Sequence, residues 1–145
     1  MPSARELPEG ETALAARAML ELRPWVGSVE AFVTAVDRVQ RPGGYRLLAS
    51  FEDGEHDAAA VAGFRVHQNL AWGRHMYVDD FVTAEDRRGR GHGDALFSWL
   101  FDEARRQDCA EFHLDSGVGP DRADAHRFYF RHGLRIASYH FVRGL

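Results

Sequence analysis

The sequence contains no lysine: all 18 of its basic residues are arginine. That absence removes the P-loop lysine, the Schiff-base lysine and any lysine general base together. What remains is a side chain suited to planar, bidentate recognition of phosphate. Cysteine is scarce too, and the single Cys109 excludes an intramolecular disulfide and a thiolate metal cluster. No apolar run approaches the length of a membrane span, and the first residues lack the basic-then-apolar pattern of a signal peptide. A cytoplasmic protein with no membrane partner is therefore expected. Positive charge is not in excess either. The formal net charge is -4, whereas a duplex-DNA binder would show a basic surface, so no nucleic-acid partner is expected.

What is present is the composition of an ordinary globular chain, 45% hydrophobic and 28% charged over 145 residues. That length suits one domain with a two-layer core. Residues 1–10 read as an N-terminal extension or a short first strand, and residues 11–145 as the single domain. Helical spacing runs from Glu11 to Leu22, and again after Ser28, a candidate N-cap, through Val29, Phe32, Val33, Val36 and Val39. Pro42-Gly43-Gly44 ends that second helix. Strand patterns follow at Tyr45 to Phe51, Ala58 to His67 and Met76 to Thr83, with a turn at Asp53-Gly54 and a loop at Gln68 to Arg74. A helix is expected from about Gly91 to Arg106, a short strand at Glu111 to Asp115 and a helix at Arg122 to Arg131. A last strand or strand pair is expected over Leu134 to Val142. Strands alternating with helices give an α/β domain built on a mixed sheet.

The chemistry concentrates between His75 and Phe101. The third strand ends in two carboxylates, Asp79 and Asp80, followed by Gly89, Gly91 and Gly93 on alternate positions and then an amphipathic helix. A strand feeding a glycine turn at a helix N-terminus holds phosphates, because backbone N–H groups converge there and the helix dipole favours negative charge. The Rossmann fingerprint fails, since Asp94 stands where it needs glycine, and the Walker pattern fails for want of lysine. Adjacent residues in a strand point to opposite faces, so only one of Asp79 and Asp80 can face a reacting centre unless a bulge intervenes. His113, Asp115, His126, His132 and His140 lack H-x-x-x-H or H-E-x-x-H spacing, and no metal is expected. Ser116 lacks a nucleophile elbow.

Arg88-x-x-Gly91-x-Gly93 after a strand resembles motif A of the GNAT superfamily of N-acetyltransferases, Q/R-x-x-G-x-G/A. Ala125 to Leu134 resembles that family's second signature, A-x-x-F/L-Y-x-x-x-G-F/L. The resemblance implies the GNAT fold, a mixed and mostly antiparallel sheet flanked by about four helices. It also implies acetyl-CoA as co-substrate. By the resemblance the turn's amides hold its pyrophosphate, the contacts falling on Arg88, Gly89, Arg90, Gly91, His92 and Gly93, and Arg122, where the family often has a polar residue, touches the cofactor. The backbone of Phe81, Val82 and Thr83 pairs with pantetheine by the same resemblance, the Val82 N–H stabilising the thioester oxygen. Tyr129 takes the place of the family's general acid; without the signature it reads as a core tyrosine.

Tyr77-Val78-Asp79-Asp80-Phe81 is similar to the Y-x-E-D-F segment of polyamine N-acetyltransferases. By that match Asp79 is the base and Asp80 a substrate or structural support, either of them able instead to pair with a neighbouring arginine. Trp25 and Trp72 lie in loops that border the acceptor site in the family, where either can offer an aromatic wall to a cationic amine, ordinary packing being the plainer reading of each. The implied function is acetyl transfer to a small, polyamine-like primary amine. Protein lysine is the alternative acceptor, and a non-catalytic acyl-CoA sensor the alternative class. Relatives that pair make a homodimer one option.

Overall fold

Antiparallel pairing of consecutive strands builds most of the sheet. A computed structural model describes residues 2–145. The chain divides into a larger unit up to His113 and a smaller one, Leu114–Leu145. The sheet order is β1 (Ser3–Leu7), β2 (Arg46–Phe51), β3 (Ala60–Asn69), β4 (Gly73–Thr83) and β5 (Glu111–Leu114). The first four pair antiparallel in sequence order. β5 follows β4 through a crossover helix, α3 (His92–Arg106), the connection that parallel neighbours require. The short first strand thus forms, over Ser3–Leu7.

Period-2 alternation assigns the two faces of the sheet. Leu47, Ala49, Val61 and Val82 pack with Ala16, Ala18, Met19, Phe32 and Val36. The last five come from α1 (Ala16–Leu22) and from α2 (Val29–Thr34) with its π-turn continuation, Ala35–Gln40. On the opposite face Phe64 meets Trp99 of α3 edge-on at 5.8 Å between ring centres, and Phe81 meets Phe97 at 4.8 Å. The Ser28 side chain caps α2, accepting from the Ala31 N–H at 3.1 Å. α1 starts one turn later than its periodicity suggests, because Thr12–Ala15 winds as a 3-10 turn.

α3 is also fastened to the sheet by charge. Glu103, 3% exposed, lies 2.7 Å from Arg46 of β2, which also pairs with Glu6 of β1 at 2.7 Å. Arg106 and Gln107 donate to the same carboxylate. Burial pushes the Glu103 carboxyl upward, but its bonds from Arg46, Arg106 and Gln107 outweigh that and hold it below the ordinary glutamate value. A carboxyl lowered by folding contributes stability above its unfolded value of 4.5 and loses it as pH falls through the native value. Glu103→Gln is expected to cost about 2 kcal/mol near neutral pH, a drop of roughly 4–8 °C in Tm, and the gap should close in acid. Thermal melts at neutral and acid pH check both parts.

In the smaller unit, α4 (Ala123–Arg131) follows a 3-10 turn at Pro120–Arg122 and ends at Gly133, whose φ of +83° suits glycine. The expected strand over Leu134 to Val142 is not formed. Taken by itself this unit is one helix and loops, with no neighbouring strand to complete a ladder.

Candidate active site

The register of β3 against β4 slips at one point. Gly63 opposes Asp80 and Phe64 opposes Val78, so Asp79 is the extra residue of a β-bulge. The bulge overrides the opposite-faces rule, and both carboxylates join one network on the α1/α2 face. Tyr45 donates its hydroxyl to Asp80 Oδ2 at 2.9 Å, and Arg23 Nε donates to Asp80 Oδ1 at 2.9 Å. Arg65 Nε donates to Asp79 Oδ2 at 2.9 Å, and Arg23 Nη2 to the Asp79 carbonyl at 3.0 Å. Both aspartates therefore have the arginine partners that a structural role would give them. They differ in what is left over. Both Asp80 oxygens are engaged, whereas Asp79 Oδ1 has no hydrogen-bond partner among the described residues.

The groups around the acids are held from several elements. Arg65 also donates to the Gly43 carbonyl at 2.9 Å and to Gln40, tying the end of the second helix to Asp79. Its guanidinium lies 5.4 Å from the Tyr45 ring centre. The Tyr45 hydroxyl reaches Asp80 across Gly63, where a Cβ would come within 1.7 Å of it. Burial first, and then the Asp80 charge, raise the Tyr45 pKa well above its ordinary value, so its proton stays available to Asp80. Trp25 is 74% exposed in the 3-10 turn after α1, its ring 5.8 Å from the Arg23 guanidinium. Trp72 serves ordinary packing. It stacks on His113 at 3.8 Å near the start of β4, seven residues and roughly 23 Å of strand from Asp79. It does not border the acidic pair.

The glycine turn leaves β4 through a 3-10 turn, Glu85–Arg87. Gly89 and Gly91 take φ of +75° and +89°, which point the chain into α3 with Gly91 as its N-cap residue. The first N–H groups of a helix have no intrahelical acceptor, so the amides of His92 and Gly93 open at this end. Of the turn's arginines, Arg87 pairs with Glu55, and Arg90 with Glu52 at 3.0 Å. Arg88 is exposed, and its one side-chain hydrogen bond among the described residues goes to the Thr83 carbonyl, at 3.4 Å. Helix-start amides, two left-handed glycines and an arginine with no carboxylate partner among the described residues fit the pyrophosphate of an acyl-CoA. The His92 side chain turns inward, which leaves its backbone amide as the group able to meet the pyrophosphate. Arg90 likewise spends its guanidinium on Glu52.

Phe81 and Val82 anchor the strand end on opposite faces. The Ala110 N–H donates to the Arg74 carbonyl at 2.8 Å, so β5 begins beside the start of β4. Four parallel residues advance about 13 Å, and β5 itself stops short of Phe81–Thr83.

In the smaller unit, Tyr129 is half-buried on α4, where burial raises the phenol pKa against the lowering influence of Arg122. Arg122 is exposed just before α4. Tyr45, Arg23, Arg65 and Gly63 were not singled out by sequence. Gly63 carried a signal, since a lone glycine in a strand pattern marks a bulge or a close approach.

The family model described as "Acetyltransferase (GNAT) family" matches residues 13–134. An uncharacterized N-acetyltransferase, YhdJ, of Bacillus subtilis is 31% identical over 124 residues, covering 85% of this chain and 84% of that protein. An aminoalkylphosphonate N-acetyltransferase of Salmonella typhimurium is 31% identical over 68 residues, 47% of this chain and 43% of that one. Among solved structures, a Trypanosoma brucei acetyltransferase superposes with a TM-score of 0.76 at 20% identity, with 100% of each chain covered. A ribosomal-protein-alanine N-acetyltransferase of Brucella melitensis gives 0.78 at 17%, again with 100% of both chains covered. At those identities the structures establish the fold.

Proposed function

Because the chain belongs to the GNAT family and is an N-acetyltransferase, we propose that its acceptor is a small primary amine, received at Asp79 and acetylated directly. The observation that carries this reading is the bulge, which gathers Asp79 and Asp80 on one face and leaves Asp79 Oδ1 open. An alkylamine at neutral pH is mostly protonated, and removing that proton costs about 4 kcal/mol. Asp79 attracts the cation and accepts its proton, directly or through one water. Asp80, held by Tyr45 and Arg23, supports the substrate side, with Trp25 beside Arg23.

Acetyl-CoA, the family's co-substrate, supplies the activated acetyl group and a thiol leaving group. On the protein side, Arg88 and the amides of Gly89 to Gly93 hold its phosphates, and Arg122 adds a cation. The backbone of Phe81, Val82 and Thr83 receives the pantetheine arm, the Val82 N–H stabilising charge on the thioester oxygen. Tyr129 holds the proton that the departing thiolate takes. The Salmonella relative is named for a small amine acceptor, which supports the size class. Each acid is matched by an arginine, so the reading favours one compact amine over a long polycation.

A panel of amines and peptides tests it, with free thiol release from acetyl-CoA as the readout. Small primary amines are expected to stimulate release at least tenfold over water, and lysine peptides to lag behind them. Stimulation by peptides alone would move the acceptor to protein lysine. Tight CoA binding with no stimulated release would make the domain a sensor.

A further inference from the structure

We propose that His92 is a positioning residue for the cofactor turn, clamping it to the end of β2 through both nitrogens of its ring. His92 is the first residue of α3 and is 1% exposed. Its Nδ1 lies 2.8 Å from the hydroxyl of Ser50, itself fully buried on β2. Its Nε2 lies 3.1 Å from Glu52 Oε1, the same oxygen that accepts from Arg90 at 3.0 Å. The carboxylate selects the tautomer. Nε2 carries the proton toward Glu52, leaving Nδ1 to accept from the Ser50 hydroxyl. Glu52 is held below its ordinary value, chiefly by its bond from His92 and further by Arg90, with burial opposing.

Serine, histidine and carboxylate in a row invite comparison with a hydrolytic triad, but the order in space is reversed. The serine is the innermost member, with no exposed surface, and the acid is the outermost. No substrate reaches Ser50, so the row acts as a tether. What it tethers is costly to order. Gly89, Gly91 and Gly93 fall within five residues, and glycine loses more backbone freedom on ordering than any other residue. The amides must already converge for a phosphate to gain the full set of bonds, and a turn fixed before binding spares that entropy. Glu52 of the row also pairs with Arg90 of the turn. Arg90 neutralises Glu52, which would otherwise repel phosphate, and Arg88 is left for the ligand.

The proposal rests on this turn holding the CoA phosphates, and Arg88→Ala tests that premise separately. Unchanged CoA affinity in Arg88→Ala would remove the site rather than the role of His92. For His92→Ala, calorimetry is expected to show CoA binding about ten- to a hundredfold weaker, the range of a lost bond to a charged partner. Hydrogen exchange of the unliganded protein is expected to speed up at residues 89–94 and not in the interiors of β2 and β3. His92→Gln, which keeps one donor and one acceptor, should recover part of the affinity. Wild-type affinity in His92→Ala would overturn the proposal. So would weaker binding with unaltered exchange at residues 89–94, since that pattern means direct contact with the ligand. If exchange rises throughout the core, Ser50→Ala and Glu52→Gln decide. Each should weaken CoA binding severalfold, and unchanged affinity in both would refute the clamp.

Discussion

Asp79→Asn is expected to lower kcat/KM for the amine by about a hundred- to ten-thousand-fold while CoA affinity holds. The substitution keeps the shape and leaves a carbonyl oxygen for Arg65 Nε, so the bulge and its ties to Gly43 and Gln40 survive. What disappears is the negative charge and the proton acceptor at Oδ1. The amine then has to arrive already neutral, which near pH 7 leaves about 4 kcal/mol uncompensated. Raising the pH supplies neutral amine from solution, so the deficit should shrink by about tenfold per pH unit until the amine's own pKa is reached. A constant deficit across that range would show that Asp79 only shapes the site. Asp80→Asn is the contrasting case. Both its oxygens are already engaged, so its effect should fall on the Tyr45 and Arg23 contacts, with no narrowing at high pH.

The difference between those two aspartates also marks where sequence reasoning stopped. The glycine turn was readable because its determinants are local. A strand end, glycines in left-handed conformations and a helix start lie within ten residues. The helices and the antiparallel strands were readable for the same reason, each from its own period. The acidic site was not, because its partners are distant in sequence: Arg23 is 57 residues from Asp80, Tyr45 is 35 away, and Arg65 is 14 from Asp79. Alternation alone put the two aspartates on opposite faces. The extra residue opposite Gly63 and Phe64 is the bulge that lifts that rule, and the lone glycine hinted at its place. His92 repeats the lesson inside the motif. The resemblance gave its turn's amides to the cofactor and said nothing of its side chain, which Ser50, 42 residues earlier, draws inward. For Leu134 to Val142 an alternating pattern is necessary and insufficient, since a strand exists only where a ladder does.

Tyr129→Phe is expected to slow kcat by about ten- to ten-thousand-fold, with KM for acetyl-CoA nearly unchanged. The loss is one hydroxyl, so packing on α4 is conserved and the effect isolates the proton. A thiolate leaving an addition intermediate is a poor base for water at neutral pH, and a phenol is close to it in pKa, so transfer between them is near balance. Burial raises the Tyr129 phenol above its ordinary value, against a lowering influence from Arg122. The direction matters for the pH profile. A general acid works while protonated, so its contribution persists through neutral pH and is lost only above the raised pKa. The wild-type rate should fall on that alkaline limb, and the limb should vanish in the Phe variant. Alternatively, if Tyr129 is a core tyrosine, the same substitution changes neither kcat nor the limb, and thermal stability alone responds.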